Sequence, residues 1–337
     1  MMQGTIYDAE ERIMHSTGPG REPALSDQLL TEPYRDPRFD GATDPVLVQD
    51  RENGRWLMFY TQRRASEADL GGVEWVHGSE IGVAGSHDGG ETWSYAGTAD
   101  LDAPGLEHPI TRWAPDVVRI GDRWYMFLTL LGGHHEEWTG RAVIAQYTSD
   151  DLSSWEFQAY LDLGSERVID AAVARCEDGL YRLWFKDETR GSRTFAATSA
   201  TPWLPGSWRL EGLVIDGRAH EGPKVFRLGG WYWMITDEWR GLAVHRSVDG
   251  TGGWERQGRD EGLVLTAPET FAGHPVVARH ADVVVQGSRA AVVHFTHPEW
   301  SGSELDTVGP SIAHRRTHIR AAWFHVVDGE LVPVDDA

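Results

Sequence analysis

Five stretches of this 337-residue chain place a polar, chemically competent residue at the head of a short apolar run. They are Asp44 (T-D-P-V-L-V), Asp116 (A-P-D-V-V-R-I), Asp170 (I-D-A-A-V-A-R), Glu221 (E-G-P-K-V-F-R) and His274 (G-H-P-V-V-A-R). Four of the five are carboxyls. If the runs line one channel, these side chains converge, and carboxyls crowded into a partly dry funnel repel one another and spread their pKa values. Spread pKa values are what acid and base work requires, although structural ion-pair networks perturb groups in the same way. Taken singly, Asp44 would read as a strand-end turn residue; its recurrence at five equivalent places argues for shared use.

The elements that must position these residues are visible in the stretch from His220 to Trp254. Glu221 opens an apolar run, Gly229-Gly230 turns the chain, Trp231 to Thr236 form a second run, and Leu242 to Arg246 form a third before Asp249-Gly250. Short aromatic and β-branched runs punctuated by Gly and Asp are strands joined by tight turns. The unit recurs. Its middle strands are Arg55 to Thr61, Arg123 to Thr129, Leu180 to Lys186, Trp231 to Thr236 and Ala290 to Thr296. Four segments start with Ser and close on Trp: Ser86 to Trp93, Ser149 to Trp155, Ser199 to Trp208 and Ser247 to Trp254. Repeats of this length with three or four strands each predict radial repetition of sheets. The expected fold is all-β, a five-bladed β-propeller whose blades have three to four antiparallel strands around a central channel. Residues 1–40 fall outside the repeat and are expected to form a lead-in arm over a propeller face; residues 41–337 form the propeller.

Composition narrows the function. A formal net charge of −21 without clustered Lys and Arg argues against a nucleic-acid partner. A single cysteine, Cys176, cannot form an internal disulfide. No run of 18 apolar residues is present to span a membrane, and the first residues lack the basic-then-apolar pattern of a signal peptide, so a cytoplasmic protein is expected.

The segment Trp113-Ala114-Pro115-Asp116-Val117, followed by Gly121-Asp122-Arg123-Trp124-Tyr125-Met126-Phe127, resembles glycoside hydrolase family 43 and its five-bladed relatives, which act on arabinose- and xylose-containing sugars. Ser149 to Trp155 is similar to that family's S-x-D-L-x-x-W turn, and the resemblance spans roughly residues 40 to 334. It implies a general base at Asp44, an aspartate that tunes the acid's pKa at Asp170, and a general acid at Glu221. Inverting hydrolysis needs one protonated and one ionised carboxyl about 6.5–9.5 Å apart across the sugar, a separation that nonadjacent blades supply. Asp116, outside the catalytic three, is read as a positioning or sugar-hydroxyl contact. Trp113 is either structural or a stacking face for a sugar ring. His274 is either a hydrogen-bonded plug of the channel floor or, as the resemblance implies, a ligand that helps hold calcium or another metal ion on the propeller axis near the substrate. No organic cofactor is expected. Arg316, in the Arg315-Arg316 pair of the last blade, is a candidate to reach the substrate.

Other motifs carry less chemistry. Ser86 to Trp93 matches S-x-D-x-G-x-T-W, the Asp-box turn of sialidase propellers, which describes a hairpin and supports the architecture. Tyr34-Arg35-Asp36-Pro37 reads as a turn. The adjacent His134-His135 should point apart on a solvated loop at the pocket mouth. Asp187-Glu188 and Asp237-Glu238, at the far ends of second strands, are expected to pair with arginines of neighbouring blades.

The expectation is therefore an inverting glycosidase that releases a terminal sugar, a pentose such as arabinofuranose or xylose, from a carbohydrate substrate. Two alternatives stand beside it: a propeller glycosidase for a fructoside or unusual sugar, and a noncatalytic carbohydrate-binding propeller.

Overall fold

The alternation of side chains along a strand decides how this chain packs. In the second strand of the first repeat, Arg55–Gln62, Trp56, Met58 and Tyr60 enter one apolar cluster while Leu57 and Phe59 enter another. The same split recurs in the second repeat, where Met126, Leu128 and Leu130 join the cluster of Leu57 and Phe59, and Tyr125 and Phe127 join the next. A sheet buried on both faces reads as a near-continuous apolar run, because neither face can be polar. Five such clusters fill five seams, and the seams close into a ring.

The computed structural model describes residues 24–266, 277–299 and 311–334, and the backbone alone of 270–271 and 274–275. It is a five-bladed β-propeller of four-stranded antiparallel sheets. Blade one comprises Ala42–Asp50, Arg55–Gln62, Glu80–Ser86 and Ser94–Thr98; blade two comprises Ile110–Ile120, Arg123–Gly132, Ala142–Ser149 and Glu156–Tyr160. Blade three holds Val168–Arg175, Tyr181–Asp187, Arg193–Ser199 and Arg209–Ile215. Blade four holds Glu221–Leu228, Trp231–Asp237, Leu242–Ser247 and Glu255–Arg256, with Leu263–Val264 pairing beside them, and blade five holds Arg279–Gln286, Arg289–Thr296, His318–Val327 and Glu330–Pro333. The first strand of each blade lies innermost, against its counterparts on both sides. No helix among the described residues is long and apolar enough to cross a membrane.

The fifth blade begins later than the sequence suggested. His274 pairs through its backbone with Phe271 in a two-residue ribbon, outside the blade's sheet. The inner strand starts at Arg279 because it must meet Arg289–Thr296 across the tight turn at Gly287-Ser288.

Register also corrects the equivalence of the acidic positions. Each of the first four inner strands carries an irregularity near its head: between Thr43 and Val46, Trp113 and Asp116, around Asp170, and between Glu221 and Lys224. A left-handed residue sits in each, namely Asp44, Ala114, Asp170 and Gly222, at φ 49°, 46°, 59° and 58°. Asp44 and Asp170 thus share a place that Ala114 and Gly222 occupy in blades two and four. Glu221 stands one residue earlier and Asp116 two residues later. Gly222 is required where it is: a Cβ there would lie 2.7 Å from the His280 ring.

Displaced from the cavity, Asp116 serves the axis. Its carboxylate accepts the Val173 N–H at 2.8 Å and lies 2.6 Å from the Lys224 ammonium, which also reaches Asp282 at 2.7 Å. Asp282 in turn accepts the Leu47 N–H, so one lysine of blade four ties blades two and five, which anchor blades three and one. The seam between blades five and one is sealed by the arm. Leu25, Leu29, Leu30 and Tyr34 join its apolar cluster, Tyr34 bridges to Ile319, and Gln286 pairs with the Leu25 backbone. In the Arg-Asp-Pro turn, buried Asp36 accepts from Tyr60 and Gln62, a structural use. The Asp-box closes on itself as a hairpin, with Ser86 and Asp88 accepting the Gly90 and Thr92 N–H groups.

Removing one partner of a buried ion pair costs about 3–5 kcal/mol because the other charge is left unpaired. Lys224→Met should therefore lower the denaturant midpoint sharply, and Asp116→Asn with Asp282→Asn in the same background should recover most of the loss; equilibrium unfolding of the three proteins checks this.

Candidate active site

The irregularities at the heads of the inner strands lie at one end of the channel and turn the Asp44 and Asp170 side chains inward. There a cavity of ≈ 250 Å³ is lined by Asp44, Asp170 and Glu221 together. The three predicted catalytic positions, distant in sequence, thus meet in one pocket. Trp113 lines it too, its indole N–H held by the Val76 carbonyl at 2.7 Å. Asp116 and Arg316 do not line it; Arg316 is engaged by Asp40 and Glu299 at 3.0 and 3.3 Å. The side chain of His274 lies outside the described residues.

The place expected of His274 belongs to His280. Its Nδ1 lies 3.6 Å from Asp44, whose other oxygen accepts from Thr43 and faces Arg63 at 3.7 Å. The second strands contribute the remaining charges. At the register position opposite the strand heads stand Thr61, Thr129, Lys186, Asp237 and Phe295 in blades one to five. Thr61 accepts the Ala114 N–H of the next blade, Thr129 accepts that of Asp170, and Asp237 accepts that of His280. Lys186 has no acceptor. The Gly222 N–H goes to Asp170 Oδ2 at 3.1 Å instead, and Lys186 Nζ binds Glu221 Oε2 at 2.9 Å.

Burial and charge then sort the carboxyls. Burial pushes Glu221 up, but Lys186 and the Trp239 Nε1–H, 2.9 Å from Oε1, override it and hold the group at about 2. Burial raises Asp170 and, against the pull of His280, the charge on Glu221 helps keep it at about 7. Asp237 is raised by burial against Arg279, to about 6. Lys186 and Trp239 thus favour the ionised form of Glu221, and burial favours the protonated form of Asp170. The resemblance implies that Asp170 lifts the pKa of Glu221; a neighbouring carboxylate acts in that direction, and Lys186 acts against it.

The acids expected to pair with arginines divide. Glu238 is bound by Arg240 and Arg256, and Asp187 by Arg190. Asp237, 3.8 Å from Arg279 of blade five, and Glu188, bonded to Arg167 and Lys186, also line the cavity. The rim is aromatic: Trp75 and Trp138 come from loops joined by the Val73 N–H to Glu136 carbonyl bond. His134 and His135 point apart as expected, His134 to Glu74 at 2.8 Å and His135 to the Gly132 carbonyl at 3.0 Å. Among the described residues, Glu74, His134 and Glu136 are the group that brings three metal-competent donor atoms within 4.8 Å. The described axial residues gather no such trio, and Lys224 already supplies positive charge between Asp116 and Asp282. His274, the residue expected to hold a metal ion on the axis, has its side chain outside the described residues.

The residues that sequence reasoning passed over are Arg63, Lys186, Trp239, Arg279 and His280. Two signals in the sequence bear on the register and on His280, and none marks the other four. The pairs Asp44-Pro45, Ala114-Pro115 and Gly222-Pro223 mark the unpaired places where a missing N–H is tolerated, and aligning on them gives the observed register. Counting back from the Gly287-Ser288 turn gives His280.

The profile of glycosyl hydrolases family 43 matches residues 89–300. Among solved structures, the chain is similar to a thermostable family-43 glycoside hydrolase, with TM-score 0.63, 19% identity, and coverage of 90% of this chain and 96% of that one. An exo-1,5-α-L-arabinanase from a bovine ruminal metagenomic library gives 0.63, 17%, 90% and 100%. A family-43 β-xylosidase/α-arabinofuranosidase from a compost microbial metagenome, in complex with xylotriose and calcium-free, gives 0.64, 13%, 90% and 98%. Likeness at these identities establishes the fold. A search of curated proteins found no match.

A carboxyl whose pKa is higher in the folded than in the unfolded chain favours folding while protonated and loses that contribution as pH rises through the folded value. For Asp170 the window runs from about 4 to about 7; Glu221, shifted downward, acts below about 4.5 instead. The melting temperature of the protein should fall between pH 5 and 8, and that of Asp170→Asn, which keeps an oxygen for the Gly222 N–H, should fall less over the same interval.

Proposed function

The chain belongs to glycosyl hydrolases family 43, and from that premise we propose that it is an inverting, exo-acting glycosidase that releases one terminal pentose, an arabinofuranose or xylose, from a carbohydrate chain. The observation that carries this reading is the meeting of Asp44, Asp170 and Glu221 in a single small cavity. At ≈ 250 Å³ it lies below the roughly 300–1,000 Å³ of pockets for drug-sized ligands, which suits one sugar ring. Trp75, Trp113 and Trp138 give the mouth apolar faces of the kind that pack on sugar C–H groups.

In this mechanism Asp44, on blade one, takes a proton from water as the water attacks the anomeric carbon. Glu221, on blade four, gives a proton to the departing glycosidic oxygen. The two act from nonadjacent blades, which supports attack and departure on opposite faces of the ring. Asp170 sits beside Glu221, its Oδ2 on the amide that follows the acid, and shares one proton with it. Arg63 and Arg279 flank Asp44 and Asp237, offering donors for sugar hydroxyls. Two of the similar structures fit this class, an exo-1,5-α-L-arabinanase and a β-xylosidase/α-arabinofuranosidase in complex with xylotriose.

A panel of aryl glycosides of pentoses, hexoses and fructose should show turnover on a pentoside. Glu221→Gln and Asp44→Asn should each lower kcat by about 10²- to 10⁴-fold, the usual contribution of a general acid or base, with sugar binding retained. Proton NMR of the first-formed product should show the inverted anomer; a retained one would remove Asp44 from the base role, and binding without turnover in the unaltered protein would leave a carbohydrate-binding propeller.

A further inference from the structure

Lys186, like Phe295 of blade five, departs from the use that the other three members of its ring share. Blades one and two place Thr61 and Thr129 at this register position, each accepting the backbone N–H of the next blade, and blade four places Asp237 there for the same purpose. Blade three gives up that backbone bond and puts an ammonium against Glu221. The ammonium is almost fully buried, at 5% side-chain exposure, and sits 5.3 Å from the centre of the Trp239 ring, whose N–H binds the other oxygen of Glu221. Both oxygens of the carboxylate are thereby committed to the protein.

A carboxyl so held is a poor proton donor, and the other charges in the cavity do not release it. Blade three presents Asp170 and Glu188, blade four Asp237, blade five Arg279 and His280, and blade one Asp44 and Arg63. Among these cations Lys186 alone forms an ion pair with Glu221; Arg63 and Arg279 face Asp44 and Asp237.

We propose that Lys186 is a positioning residue: it keeps Glu221 charged in the empty pocket and releases it for protonation when a sugar occupies the cavity. The proposal rests on the glycosidase reading above. A sugar hydroxyl that accepts a hydrogen bond from the ammonium draws it from Glu221. The single proton shared by the neighbouring Asp170 and Glu221 carboxyls then settles on Glu221, leaving the charge of the pair unchanged. Glu221 gives that proton to the glycosidic oxygen as the C–O bond breaks, while Asp44 receives one from the attacking water. Acid catalysis is thus armed by the substrate.

The test compares the unaltered protein with Lys186→Met and Lys186→Arg by two measurements. The basic limb of the kcat/KM–pH profile, taken on whichever aryl glycoside is hydrolysed, reports loss of the proton shared by the free pair. Without the ammonium the pair binds its proton more tightly, so Lys186→Met should move this limb at least one pH unit higher, a tenfold change in proton affinity, and Lys186→Arg should leave it near its original place. Independently of turnover, the Glu221 carboxyl carbon in protein labelled with [5-¹³C]glutamate, identified by its loss in Glu221→Gln, should titrate at least one unit higher in Lys186→Met. An unmoved carboxyl titration in a folded Lys186→Met protein overturns the proposal. A protein that hydrolyses none of the glycosides but shows the shifted resonance overturns the glycosidase reading and leaves the Lys186–Glu221 coupling standing.

Discussion

The left-handed residue near the head of the inner strands is the constraint from which the site follows. A pleated strand alternates its side chains between the two faces of its blade, and in a propeller both faces are seams. No regular strand position points along the axis into the channel mouth. An irregularity with one residue at positive φ breaks the alternation and aims a side chain there. For a non-glycine residue this backbone costs about 1–2 kcal/mol, and Asp tolerates it better than most. The chain meets that cost at Asp44, Ala114 and Asp170, and uses glycine at Gly222, where His280 comes too close for a Cβ.

Charge on the axis is balanced at two levels. At the floor, Lys224 neutralises Asp116 and Asp282, and both carboxylates also take backbone N–H groups of neighbouring blades, so ion pairing and ring closure are one device. At the mouth the balance is deliberately uneven. Five acids line the cavity against Arg63, Lys186 and Arg279, and the buried carboxyls respond by moving apart in pKa. Lys186 draws Glu221 downward while burial raises Asp170. Identity of the acid is then a property of the pair and of what fills the pocket, rather than of either side chain.

The apolar work is distributed differently. Each seam carries its own cluster, fed by alternate residues of the second strands, and the arm residues Leu25 to Tyr34 complete the last of them. The site inherits its rigidity from these seams, while the rim, carried on the loops of Trp75 and Trp138, is free to differ from one propeller to another.

By itself the sequence determined the number of blades, the second strands nearly to the residue and the hairpin at Ser86 to Trp93; its repeat brought acidic strand heads together, and only the family resemblance singled out Asp44, Asp170 and Glu221 among them. Those features are local or periodic: strand alternation, turn chemistry and a repeat of some fifty residues are written in neighbouring side chains. Register across the ring was decided only by tertiary structure. Asp44, Asp116 and Glu221 look alike as acids ahead of apolar runs, yet a slip of two residues sends Asp116 to the channel floor, and a shift of six puts His280 rather than His274 at the head of blade five's inner strand. The charge state was equally hidden. The pull on Glu221 comes from a lysine 35 positions away in the chain and 2.9 Å away in space, and electrostatics in a buried pocket answers to that second distance alone.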